Sequence, residues 1–159
     1  MAIPTRLLVP VDFSRTSFAA LELALELKSR FDASLEVLHV LEPPPIRGPD
    51  ALFAAGAAPL TDVESHTLRT AKKEMSELVE RLHERGFRDV RGTVERGTPA
   101  DVIVDMTGRR GFDLVVMGTE GRTGISRLLG ASVAGKVVRR SPVPVLTVRH
   151  RDPDSFVAA

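Results

Sequence analysis

Near the end of the chain a short apolar run, residues 114–117, stops at Gly118, and two more glycines, Gly121 and Gly124, follow at three-residue spacing. Gly130-Ala131-Ser132 then opens a helical pattern. Glycines after a buried strand let the backbone approach a ligand closely, and the N–H groups that open a helix attract an anion. The spacing points to a phosphate cradle. Between positions 118 and 151 stand seven basic residues (Arg122, Arg127, Lys136, Arg139, Arg140, Arg149 and Arg151) against one acid, Glu120, a bias that suits polyphosphate. Arg139 and Arg140 fall where the end of a helix favours cations in any case, which leaves Arg122 and Arg127 as the better phosphate candidates.

A second candidate is Asp12, directly after the first apolar run. At that place a carboxylate can bind a ribose hydroxyl or hold a divalent cation, directly or through water. The alternative is a helix-capping and dipole role beside Ser14. Two resemblances to other nucleotide motifs fail. Gly130 to Val137 fits G-x-x-x-x-G-K but carries valine where a serine or threonine would hold magnesium, and no strand precedes it; Gly118, Gly121 and Gly124 do not form G-x-G-x-x-G. The four histidines (His39, His66, His83, His150) lack metal-ligand spacing and are expected to be structural or solvated. Met75 and Met106 fall on apolar helix faces and are expected in the core. No catalytic residue is assigned.

Composition narrows the classes further. A net charge of +1 gives no global attraction to nucleic acid, and the absence of Trp and Tyr removes the usual base-stacking platforms. Without cysteine there is neither thiolate chemistry nor a Cys-ligated metal. The uncharged run 51–61 is shorter than the roughly 18 residues of a spanning helix, and the N-terminus lacks a secretory pattern, so no membrane and a cytoplasmic location are expected.

The elements that must position these residues alternate. Residues 6–11 read as a buried strand and Ser14 as the N-cap of a helix to about Phe31, with Phe18, Leu21, Ala24 and Leu25 on one face. A second strand covers 34–41. Thr61 and Glu64 form a capping box for a helix with Leu68, Ala71, Met75, Leu78, Val79 and Leu82 at helical spacing, which Gly86 ends. Residues 88–95 read as a third strand. Thr98 and Pro99 open a helix to about Gly108, 114–117 is the fourth strand, 131–140 a helix and 143–149 the fifth strand. This alternation implies an α/β fold, one doubly wound domain over residues 1–149 with a parallel sheet covered on both faces. Residues 42–60, rich in proline and glycine, read as a mobile insert and 150–159 as a flexible tail. In such a sheet the ligand lies beyond the carboxyl ends of the strands, where the strand order reverses.

Residues across nearly the whole chain carry a resemblance: Val9-Pro10-Val11-Asp12-Phe13-Ser14, His39-Val40, Gly97-Thr98-Pro99, Gly118 with Gly121, and Ser141-Pro142-Val143-Pro144-Val145-Leu146. Together they resemble the universal stress protein family, in its ATP-binding branch. The resemblance implies a five-stranded parallel sheet of order 3-2-1-4-5 with ATP, and magnesium or manganese, at the switch point. It implies that Asp12 and Val40 contact adenosine. Pro10, Val11, Met117 and Gly118 would line base and ribose, and Gly121, Arg122, Ala131, Ser132 and Val133 would face the phosphates, with Asp12 as the metal candidate. The family signature, Gly-x-x-Gly, nine residues, then Gly-Ser or Gly-Thr, has Ala131 in place of its last glycine here. A homodimer is also implied, paired through residues 143–148, from Val143 to Val148; an apolar edge strand gains a partner that way. The expected function is an ATP-binding regulatory protein that signals to an unknown protein partner. The alternatives are a nucleotide-free dimeric adaptor, suggested by Ala131 and Glu120, and a slow ATP hydrolase.

Overall fold

Among the described residues five parallel strands and four helices alternate: β1 (Arg6–Pro10), α1 (Arg15–Phe31), β2 (Ser34–Leu41), α2 (Asp62–Glu84), β3 (Arg91–Arg96), α3 (Pro99–Arg110), β4 (Leu114–Gly118), α4 (Val133–Arg140) and β5 (Val145–Val148). The structure is a computed structural model that describes residues 3–43, 62–119 and 132–149. Residues 44–60 of the insert, the capping-box residue Thr61, the tail, and Gly121, Arg122 and Ala131 lie outside the described residues. The strands pair in the order β3-β2-β1-β4-β5, the order expected of the fold.

Alternation along the strands builds a core on each face of the sheet. Leu7, Val9, Leu35, Val37 and Val116 pack against Leu21 and Leu25 of α1 and Met75, Leu78 and Leu82 of α2. Leu8, Leu38, Val115 and Met117 point the other way, onto Ile103 and Met106 of α3 and Ala134 and Val137 of α4. Both methionines are core residues. Among the described residues no helix is long and apolar enough to cross a membrane.

Helix α1 is fastened at both ends. Ser14 accepts the N–H of Ser17 at its start, and Asp32 closes it in the left-handed conformation with its N–H on the Lys28 carbonyl. Lys28 is 8% exposed; its Nζ donates to the Ala33 carbonyl at 2.9 Å and to Asp89 at 2.6 Å. That tie joins the end of α1 to the turn before β3. Gly86, at φ +100°, ends α2: its N–H reaches the His83 carbonyl, and the Phe87 N–H reaches that of Leu82.

Several boundaries differ from expectation, by one residue at the ends of β1, β3 and β4 and more informatively at four others. Strand β3 starts at Arg91 rather than Arg88, because the Val90 N–H closes a turn on the Phe87 carbonyl. Helix α3 runs through Gly108 to Arg110, and the glycine that ends it is Gly111, at φ +66°. Helix α4 starts at Val133, with Ser132 as its cap, not at position 131. Strand β5 covers only Val145–Val148: Pro142 and Pro144 have no N–H for a ladder, and the Ser141 hydroxyl instead donates to the Val143 carbonyl.

Candidate functional site

The strand order reverses between β1 and β4, and there the ladder is short. Cα partners are confined to Leu7 with Leu114 and Leu8 with Val115. The cause lies in the sequence. In a parallel strand, successive residues turn their hydrogen-bonding groups to opposite neighbours. The Val11 N–H donates to Leu38 of β2 at 2.7 Å, whereas the Arg6 carbonyl receives the N–H of Asp113, just before β4, at 3.0 Å. Pro10 therefore turns its backbone nitrogen toward β4, and proline has no N–H to give. Past Leu8 and Val115 no further ladder pair joins the two strands. Val11 follows β2, while the Thr119 N–H donates to Val148 of β5 at 2.9 Å. Helices α1 and α4 pack on opposite faces of the sheet, so the crevice of the switch point lies between the ends of β1 and β4.

Asp12 stands two residues beyond the end of β1, at that crevice. One oxygen of its carboxylate, Oδ1, accepts both the backbone N–H and the hydroxyl of Ser14, and the Ser14 hydroxyl oxygen in turn accepts the Ser17 N–H at 3.2 Å. The capping reading of Asp12 is thus realised, through Ser14. Its charge also sits at the positive end of α1, where an anion is favoured.

Between Asp12 and Ser14, Phe13 holds φ +60°, a left-handed conformation that residues with a Cβ adopt rarely. Its ring lies against that of His39, with centroids 4.8 Å apart, and near Phe18, at 6.3 Å. His39 Nδ1 is 2.8 Å from the Val11 carbonyl, so that nitrogen carries the hydrogen and donates it. His83 Nε2 pairs with the Val90 carbonyl in the same manner at 2.9 Å. Both histidines are structural, as expected, but the part His39 plays in shaping the turn is invisible in the sequence.

The remaining site residues fall into three groups. Val11 and Met117 are each 4% exposed and lie in opposite cores, so what they offer a ligand is backbone. Pro10 is half-buried, and Val40 packs at the edge of the core beneath α3 and α4. Ser132 caps α4 by accepting the Gly135 N–H at 3.0 Å, and Val133 is 39% exposed. Met117 and Ala134 share one core, which sets the first turn of α4 beside the end of β4. Helices α1 and α4 each run back from the carboxyl end of the sheet, so both N-termini, with their unsatisfied N–H groups, belong to that end.

Gly118 is small for a reason the sequence does not reveal. A Cβ there would meet Thr16 Cγ2 at 2.8 Å and the Thr16 carbonyl carbon at 3.0 Å. The close approach at this glycine is to α1. Among the described residues no three His, Asp or Glu side chains gather as a metal site. An open groove elsewhere, lined by Gly97, Thr98, Val102 and Asp105, is spanned by the ion pair of Arg140 with Asp101 and lies away from the switch point.

The universal stress protein family model matches residues 4–149. A relative, universal stress protein MJ0531 of Methanocaldococcus jannaschii, is 31% identical over 144 residues, covering 91% of this chain and 81% of that protein. Among solved structures, the universal stress protein UspA from Lactobacillus plantarum superposes with a TM-score of 0.77 at 26% identity, covering 94% of this chain and 100% of that one. A universal stress protein crystallised in complex with cAMP shares the fold, with a TM-score of 0.67 at 24% identity over 95% of this chain and 100% of its own. The chain belongs to the universal stress protein family.

Proposed function

We propose that this member of the family is a nucleotide-binding regulatory protein, which takes ATP with magnesium or manganese between β1 and β4 and signals its occupancy to a protein partner. The observation that carries the reading is the reversal of strand order between β1 and β4, with Asp12 held just beyond β1 by Ser14. A planar base fits in the crevice at the switch point, with Pro10, Val11, Met117 and Gly118 as walls and the backbone of Val40 at its edge. Asp12 accepts the ribose hydroxyls. The triphosphate runs toward the first turn of α4, to Ser132 and Val133, with Gly121, Arg122 and Ala131 completing the phosphate contacts. Helix N–H groups stabilise anions without a buried counter-charge, which suits a reversible ligand. The fold shared with a cAMP-bound universal stress protein is one that receives an adenine nucleotide.

The metal fits only as the nucleotide's companion. Magnesium keeps several waters and needs one or two carboxylates in addition to phosphate oxygens. Asp12 can supply one, directly or through water, and the triphosphate supplies the rest. Two copies of the chain would pair through the β5 edge, where Leu146 is 37% exposed, and Val138 on the neighbouring α4 is 52% exposed.

The test is direct. Freshly purified protein is denatured and its supernatant examined for nucleotides by chromatography and mass spectrometry, and nucleotide-free protein is titrated calorimetrically with magnesium-ATP. Co-purified ATP, or saturable binding that Asp12→Ala weakens, is the expected result. No released nucleotide and no heat up to about 1 mM ligand, the weak end of specific affinity, would overturn the proposal.

A further inference from the structure

We infer that His39 is a positioning residue for the nucleoside half of the site, acting through the turn that presents Asp12; the inference rests on the nucleotide reading above. Three observations converge on its ring. Nδ1 donates to the Val11 carbonyl at 2.8 Å, one residue before Asp12. The imidazole face lies 4.8 Å from the ring of Phe13, one residue after Asp12, at an interplanar angle of 47°. His39 itself is the neighbour of Val40 on β2, and Val40 and Asp12 are the two residues assigned to adenosine. One side chain thus grips the residues on either side of Asp12 and ties them to the strand carrying the other nucleoside contact.

The conformation it holds is not a resting state of the backbone. Phe13 sits at φ +60°, and a non-glycine residue stays there only when its surroundings enforce it. The enforcing contacts are the Ser14 groups on Asp12, the Phe18 ring at 6.3 Å and the His39 ring. Of these, His39 lies outside the β1–α1 segment, and together with the Val11 N–H bond to the Leu38 carbonyl it ties the turn to β2. With the Nδ1–H bond lost, the Val11 carbonyl loses a partner, Phe13 can return to an extended conformation, and the Asp12 carboxylate swings away from its bearing on the crevice. The mechanism is pre-organisation: affinity is lost because the turn must be ordered again on binding.

Two substitutions separate the donor from the ring. His39→Asn places an amide N–H near the position of Nδ1 and keeps the bond to Val11. His39→Leu keeps apolar bulk and removes the donor. Magnesium-ATP affinity is expected to fall about tenfold in His39→Leu, the scale of one lost hydrogen bond, and to recover to within about threefold of wild type in His39→Asn. Binding of inorganic tripolyphosphate, which has no nucleoside, should stay unchanged in both. In an Asp12→Ala background His39→Leu should add no further loss, since both act on one contact. Equal ATP affinity in wild type and His39→Leu, or losses that add independently of Asp12, would overturn the inference.

Nitrogen-15 spectra of the His39 imidazole provide a readout that needs no ligand and no variant. A ring carrying a proton at Nδ1, bonded to Val11, is expected; a ring protonated only at Nε2 would refute the clamp. If wild type binds no nucleotide, the functional reading fails on its own. The clamp is then judged by this spectrum and by whether His39→Leu shifts the amides of residues 11–14.

Discussion

Replacing Gly118 by alanine would drive a methyl group into the first turn of α1. The added Cβ would stand 2.8 Å from Thr16 Cγ2, 3.0 Å from the Thr16 carbonyl carbon and 3.1 Å from its oxygen. Gly118 does not have a positive φ, so backbone strain plays no part; the cost is one of packing. A threonine methyl can turn aside, but the two backbone atoms cannot. They belong to a helix whose Ser17, Ala20 and Leu21 are at most 4% exposed, so α1 can retreat only by opening the core. Overpacking of this kind costs about 1–3 kcal/mol. At roughly 2–4 °C per kcal/mol for a domain of this size, the thermal midpoint should drop by about 2–12 °C. Urea denaturation is the assay: the midpoint should fall with the slope unchanged. Thr16→Ser removes Cγ2 and should restore part of the loss in the double variant, but not all, because the backbone contacts remain. A Gly118→Ala protein within about 0.5 kcal/mol of wild type would refute the reasoning, since that is the scatter of an innocuous substitution. If it also lost nucleotide binding, the glycine would serve ligand approach instead of helix packing.

Other perturbations probe the remaining ties. Lys28→Met keeps the buried stem but deprives the Ala33 carbonyl of a charged donor, so urea denaturation should show a loss of about 1–3 kcal/mol; Asp89, with its side chain 64% exposed, rehydrates and adds little. Burial pushes the Asp113 carboxyl up, but the N–H groups of Thr5 and Arg6 and the Thr5 hydroxyl outweigh it and hold the pKa below the ordinary value. A carboxyl lowered on folding stabilises above its unfolded pKa of about 3.9 and loses that contribution as pH falls through the folded value. Asp113→Asn should therefore be less stable than wild type at pH 7, with the gap closing in urea titrations below about pH 4; a gap independent of pH would reject this account. Leu146→Glu puts a charge on the β5 edge and should convert a dimer to monomers by analytical ultracentrifugation, and a wild type that sediments as a monomer would rule that interface out.

Most of the fold was legible because apolar periodicity changes along the chain from alternation to helical spacing. The bounds of β2 fall where its pattern begins and ends, and Ser14 caps α1 as its residue type requires. The two misplaced strand starts have a common cause: Val90 and Val143 look like strand residues, yet a turn claims the first and prolines flank the second. Of the candidate site, Asp12 was legible by its place after a buried strand. The left-handed Phe13 was not, because no glycine or asparagine marks it. Nor was the partner of Gly118, since Thr16 lies about a hundred residues away and only the sheet order brings them together. His39 was read as structural, and its grip on Val11 depends on the β1–β2 register, which spacing alone does not provide.

The missing N–H of Pro10 gives the molecule a division of labour in evolution. The β1–β4 ladder is interrupted by a covalent property of one residue, so the interruption at the crevice does not depend on what the following loops contain. Substitutions after β4 can alter which ligand is accepted, or whether any is, without breaking a bond that holds the sheet. A lineage can therefore drift between occupants while keeping the same core of Leu7, Leu8, Val115 and Val116. The crevice is inherited with the strand; its occupant is left to the loops.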